Sequence, residues 1–341
     1  MKIVEKIIFI FLLISGNLSA GTIGASLWEK EGVRVCIYHD VHDLIVLDHI
    51  GYIERDVFTS PVFRSKPLTV LVENYYSGKY EDVLRALDLE VKKVSGNNFF
   101  LSALGFLKPP ENVKVRNVES MRMVPVLFEA VTKGLLGTHE FSRDLIDLMV
   151  RSVKTVSLND LLQEAEARYK VYRNFGSSAG NAVFNSYLDR GYKKFSGKKK
   201  EFCDLVHETY KHMGDDVFKK PVLEILLDEL GRGDRGNMAA LLCSHMFVGD
   251  LFSTLTDINI LFELIRAVGN YALFAGTEHC LLAESFLRDS GFSCLMRVGD
   301  DRLRVISAAL DDDTIDDWDE LTVQRYFSPV SKTVFDWMCA S

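Results

Sequence analysis

Two short runs, far apart in the chain, place histidines beside carboxylates. The first is Val35-Cys36-Ile37-Tyr38-His39-Asp40-Val41-His42-Asp43 and the second is Tyr271-Ala272-Leu273-Phe274-Ala275-Gly276-Thr277-Glu278-His279. Imidazole and carboxylate side chains in one place can ligate a divalent ion or exchange protons as general acid and base. Each run begins with apolar residues that read as a buried strand. Glu73-Asn74 closes another apolar run and Glu119 closes a third. Ligands of open α/β sheets sit at the carboxyl ends of the strands, so these endings are expected to share one crevice.

The elements that would position these residues follow from periodicity. Strands are expected over 33–38, 68–72, 113–118, 271–275 and 293–298, with a helix over 44–58 between the first two. Alternating strands and helices imply mostly parallel pairing. From Met121 to Val268 only helical periodicity remains, and Ser157-x-x-Asp160 and Thr138 with Glu140 supply start signals. The expected fold is therefore α/β, a mostly parallel sheet with a large all-helical insertion (about 121–268) between the third and fourth strands. Breaks at 176–180, 214–216 and 231–236 divide the insertion into helices with short connections. Gly291 suits a helix C-terminus, and the acidic, then aromatic tail beyond Asp311 is expected to fold against the sheet edge.

Lys2 and Lys6 flank the apolar stretch Ile7 to Ile14, and Ser15 to Ala20 follow, the pattern of a secretory signal. That stretch is shorter than the roughly 20 residues a membrane span needs. The reading is a signal peptide over 1–20, a single domain over 21–341, no stable transmembrane span and a secreted or periplasmic protein. A net charge of −8 argues against nucleic acid as a partner. The basic run from Lys193 to Lys200 reads as a solvated turn between helices. None of the six cysteines has Cys-x-x-Cys spacing, which excludes a zinc ribbon on local grounds, and Cys36 and Cys294 fall in expected strands as small apolar side chains.

Other motifs fail on context. The glycines of Gly231-Arg232-Gly233-Asp234-Arg235-Gly236 have dinucleotide-loop spacing but follow a helical stretch instead of a strand. His207 and His212 are five residues apart, about 140° around a helix, so they do not form a zinc-binding face.

Gly276-Thr277-Glu278-His279 resembles the second Gly-x-x-His element of the TraB/Tiki/ChaN-like superfamily, and His39 to Asp43 resembles its first, Gly-Glu-x-His-Asp. Val72-Glu73 is similar to that family's strand-terminal glutamate, Asp257 to an acidic position ahead of the final motif, and Arg122 to a family arginine. The chain departs from the pattern at His39, where the family has glycine, and at Asp40, where it has glutamate; the His39 side chain would either alter the turn of the first half-site or be an extra ligand. The resemblance covers the whole chain after residue 20, and members share a fold while differing in activity.

The resemblance and the strand-end residues together give the expected function: a secreted hydrolase, peptidase or esterase in type, acting on a peptide or small-molecule substrate. His42, His279 and Glu73 would hold manganese, cobalt or zinc, Glu73 would take a proton from the metal-bound water, and Asp40, Asp43, Asp257, His39, Arg122, Gly276 and Glu278 would support them. Without a metal, His42 would be the general base, oriented by Asp40 or Glu73. The alternatives are a non-catalytic haem or iron-binding protein of ChaN type, and a degenerate interaction module. Oligomeric state stays open.

Overall fold

After the first twenty residues the described chain opens with a hairpin that periodicity did not suggest. Strand β1, Gly21–Lys30, pairs antiparallel with β2, Val33–Val41. The two residues joining them, Glu31 and Gly32, both have positive φ (51° and 78°). That is the left-handed conformation that two-residue hairpin turns use, because its twist matches the strands. The computed structural model describes residues 21–41, 67–73, 75–95, 108–119, 121–233, 236–247, 251–266 and 269–299. The expected signal (1–20), the helix expected over 44–58 and the tail beyond Asp311 lie outside the described residues.

Strand β3, Leu68–Val72, is followed by helix α1, Glu81–Ser95, and then by β4, Val113–Asn117. From there the described chain is helical: α2 Met123–Leu135, α3 Arg143–Val153, α4 Leu158–Ala179, α5 Ala182–Thr209, α6 Asp216–Lys219, α7 Val222–Gly231, α8 Asn237–Leu241, a π-helical turn Leu242–Phe247, and α9 Ser253–Ile265. Strand β5, Asn270–Gly276, passes directly into helix α10, Thr277–Asp289, and β6, Ser293–Gly299, follows. The six strands form one sheet in the order β4-β3-β5-β2-β1-β6. The pairings β4–β3, β3–β5 and β5–β2 are parallel, and those made by β1 are antiparallel. The molecule is thus mixed α/β with a mostly parallel sheet, and the added hairpin strand shifts the strand count, so the helical run lies between the fourth and fifth strands.

Side-chain alternation divides the sheet into two faces. Val35, Ile37, Leu71, Leu273 and Ala275 pack with the helices in the larger core, and Cys36, Tyr38, Val70, Val72, Ala272 and Phe274 form a second apolar layer on the opposite face. There Tyr38 and Phe274 stack in parallel, 4.4 Å between ring centroids.

Three local expectations change in the folded chain. Thr138 does not start a helix: its hydroxyl bonds back to the Lys133 carbonyl, and Ser142 caps α3 by accepting from the Leu145 amide. The basic run from Lys193 to Lys200 lies inside α5 instead of in a turn, where Lys199 reaches Glu166 on α4 and Lys198 pairs with Glu201. Cys36 is buried as expected, whereas Cys294 is exposed on β6. No described helix is long and apolar enough to cross a membrane.

Candidate functional site

Glu73 follows the last residue of β3, and its amide donates to the Phe274 carbonyl of β5 at 3.0 Å, which continues the sheet one residue past the strand. The side chain is 2% exposed. Its Oε2 accepts the Gly276 amide at 2.5 Å, so the glutamate that ends one parallel strand caps the end of its neighbour. Gly276 closes β5 and begins α10 without a side-chain cap of its own. What Gly276 contributes is its backbone N–H, which fixes Glu73. Glu278, two residues on from Gly276, is exposed.

His279 lies in the first turn of α10, 6% exposed. Its Nδ1 is 2.6 Å from Asp257 Oδ1 on α9. A carboxylate on Nδ1 fixes the ring and directs Nε2 into the site. There Nε2 lies 3.7 Å from Glu73 Oε1 and 3.3 Å from Arg122 Nη1. Arg122, one residue ahead of α2, also meets Glu73 Oε1 at 3.2 Å and pairs closely with Glu119. Strand ends β3, β4 and β5 and helices α9 and α10 thus bring together Glu73, Glu119, Arg122, Asp257 and His279. Arg122 and Asp257 are the most exposed of the five, with side chains 15% and 19% exposed.

The charges are strongly coupled. For His279, burial favours the neutral ring, but the carboxylates of Asp257 and Glu73 outweigh both burial and the nearby guanidinium, raising its pKa to about 9. Burial opposes the charge of Arg122 as well, and Glu119, Glu73, Asp257 and Glu278 overcome it, so its pKa rises.

No family model, curated protein or solved structure matches the chain.

Of the other expected site residues, His42 and Asp43 lie outside the described residues. For Asp40 the description covers the backbone, which pairs with Gly276 across β2 and β5. His39 is drawn elsewhere. It lies on the helical face of β2 with no exposure, and its Nε2 meets Glu284 Oε1 of α10 at 2.9 Å. Glu284 also pairs with Arg297 of β6 at 3.0 Å and accepts from the Ser26 hydroxyl, which in turn accepts from the Trp28 indole at 2.8 Å. This buried cluster fastens α10 to β1, β2 and β6. Despite burial, His39 and Arg297 hold the Glu284 carboxyl below its usual range.

Glu119 was marked in the sequence only as a strand ending, and Asn259 and Tyr172 carried no signal. Asn259 donates to the Val118 carbonyl at 3.0 Å and accepts from the Tyr172 hydroxyl at 3.0 Å, which holds the turn bearing Glu119 against α9. Glu284 had a readable signal: a carboxylate on the stripe Thr277, Cys280, Glu284, Leu287 that is otherwise suited to burial.

Among the described residues no three His, Cys, Asp or Glu side chains stand so as to hold a metal ion. The geometry gives the reason. The two described members of the expected ligand set, Glu73 and His279, both face the Arg122 guanidinium at hydrogen-bond range. A ligating imidazole must be neutral, while this one is held charged. Neither a divalent ion nor a haem iron fits these residues as they stand.

Proposed function

We propose that the chain is an exported α/β hydrolase that cleaves amide or ester bonds with acid and base groups of its own, its helical run between β4 and β5 serving as an insertion that shapes access to the strand ends. The observation that carries this reading is the Asp257–His279 pair, 2.6 Å apart, with the other ring nitrogen directed at Glu73 and Arg122. In the reaction, Glu73 Oε1 takes a proton from water as its oxygen attacks the acyl carbon. The Arg122 guanidinium stabilises the oxyanion that forms. His279, charged and oriented by Asp257, gives its Nε2 proton to the departing oxygen or nitrogen as the C–O or C–N bond breaks. Proton return from Glu73 to His279 through solvent restores both groups.

The 3.7 Å between Glu73 Oε1 and His279 Nε2 is longer than a hydrogen bond, so base and acid remain separate groups able to face the two sides of a scissile bond.

The test is turnover of p-nitrophenyl acetate and a mixed fluorogenic peptide panel by the full chain. Glu73→Gln and His279→Ala each should lower kcat by roughly 10²–10⁴-fold, the usual weight of a positioned acid or base. Wild-type turnover that survives both substitutions would remove these residues from the chemistry.

A further inference from the structure

We infer that Tyr169, on a helix of the run between β4 and β5, is a positioning residue: its hydroxyl supports the Asp257 carboxylate through a buried water and thereby sets the acid strength of His279. The inference rests on the acid role proposed above for His279. Tyr169 belongs to α4 and is 2% exposed. Its ring is fixed by Phe195 and Tyr192 of α5, with centroids 4.8 and 5.3 Å away. The hydroxyl has no hydrogen-bond partner among the described residues. A buried hydroxyl left unpaired is costly, and ordered water is what ordinarily satisfies such a group.

The register of two helices brings this hydroxyl to the site. Phe175 of α4 packs edge-on against Phe262 of α9, and Tyr172, three residues earlier, reaches both Phe262 and Asn259. One step further back, Tyr169 comes level with the turn of α9 that carries Asp257. Asp257 commits Oδ1 to His279 at 2.6 Å, which leaves Oδ2 to accept from a water. Burial first, and then the Asp257 carboxylate, push the Tyr169 pKa up, so the hydroxyl keeps its proton and stays a donor while His279 titrates. The other titratable groups acting on Tyr169 are Tyr172 and Tyr192, and those acting on His279 are Asp257, Glu73 and Arg122. A donor on Asp257 draws off part of its charge, so the imidazolium is held less tightly and gives up its proton more readily.

The test is the His279 titration, followed by NMR in the full chain for wild type, Tyr169→Phe, Asp257→Asn and the double variant, with Tyr192→Phe as a packing control. Tyr169→Phe should raise the midpoint by about half a unit, most of what a hydrogen bond of ordinary net strength supplies. In the Asp257→Asn background the same substitution should shift nothing, because the coupling runs through the carboxylate. Tyr192→Phe should leave the midpoint where it is in wild type. The titration needs no turnover, so it decides this inference even if the hydrolytic reading fails; where turnover is found, the alkaline limb of kcat should move up with the midpoint in Tyr169→Phe. A Tyr169→Phe midpoint equal to that of wild type, or a shift of the same size with and without the Asp257 carboxylate, would overturn the inference.

Discussion

Two buried charge clusters on one helix divide the labour at the residue scale. His279 opens α10 and faces the strand ends; Glu284, further along the same helix, meets His39, Arg297 and Ser26 with no exposure. Both histidines of the sequence pattern that fall among the described residues are therefore bound to carboxylates, but only His279 belongs to the site. The partner Glu284 accounts for the His39 side chain: a fully buried imidazole needs such an acceptor. The physical consequence is measurable. Substituting Glu284 by Gln leaves Arg297 buried without its counter-charge, and breaking a buried pair in this way costs about 3–5 kcal/mol. Chemical denaturation should show that loss. A change below about 1 kcal/mol, within the range of an exposed pair, would mean that water reaches the cluster.

Elements obey their local chemistry to different degrees. The start of α4 was legible because Ser157 and Asp160 satisfy each other's backbone amides in a reciprocal cap. Ser157→Ala should therefore cost about 1 kcal/mol in unfolding free energy, measured against wild type. The end of the same helix at Gly180, with φ of 62°, was equally readable from its glycine. Other elements were less so. Strand β1 contains Gly21, Gly24 and Ser26, which obscure alternation, and its cue was the Glu31-Gly32 turn instead. The lysines of α5 read as a turn because local charge density suggested solvent. In the helix they alternate with Phe195 and Phe202, which are buried, so the apolar stripe decides the conformation and the lysines take the outer face.

At the scale of the whole molecule, parallel pairing is what makes the site. Glu73 and His279 are distant in sequence, yet β3 and β5 are neighbours in register, Val72 beside Phe274, so their endings meet. Strand endings and their carboxylates could be read from the chain. The cation among them carried less local signal: apart from Glu119, three residues earlier, the partners of Arg122 come from another strand end and a distant helix. The coupling has a global signature in the pH dependence of stability. An unfolded histidine has a pKa near 6.5, and His279 in the folded chain is raised to about 9. Between these values the folded state holds a proton that the unfolded state releases, so this contribution is fully present below about 6.5 and is lost as pH rises through about 9. It amounts to roughly 3 kcal/mol by the usual conversion. Unfolding free energies measured from pH 6 to 10 should fall across that window, and the His279→Gln protein should show a flatter profile.

The most direct measurement is the titration of the His279 ring, followed by NMR in full-length protein with labelled histidine and assigned by substitution. Coupling to Asp257 and Glu73 predicts a midpoint near 9, with a clear downward shift in Asp257→Asn, where burial and Arg122 act with one fewer opposing carboxylate. A midpoint near 6.5, the value of a solvated histidine, left unchanged by Asp257→Asn, would contradict the account.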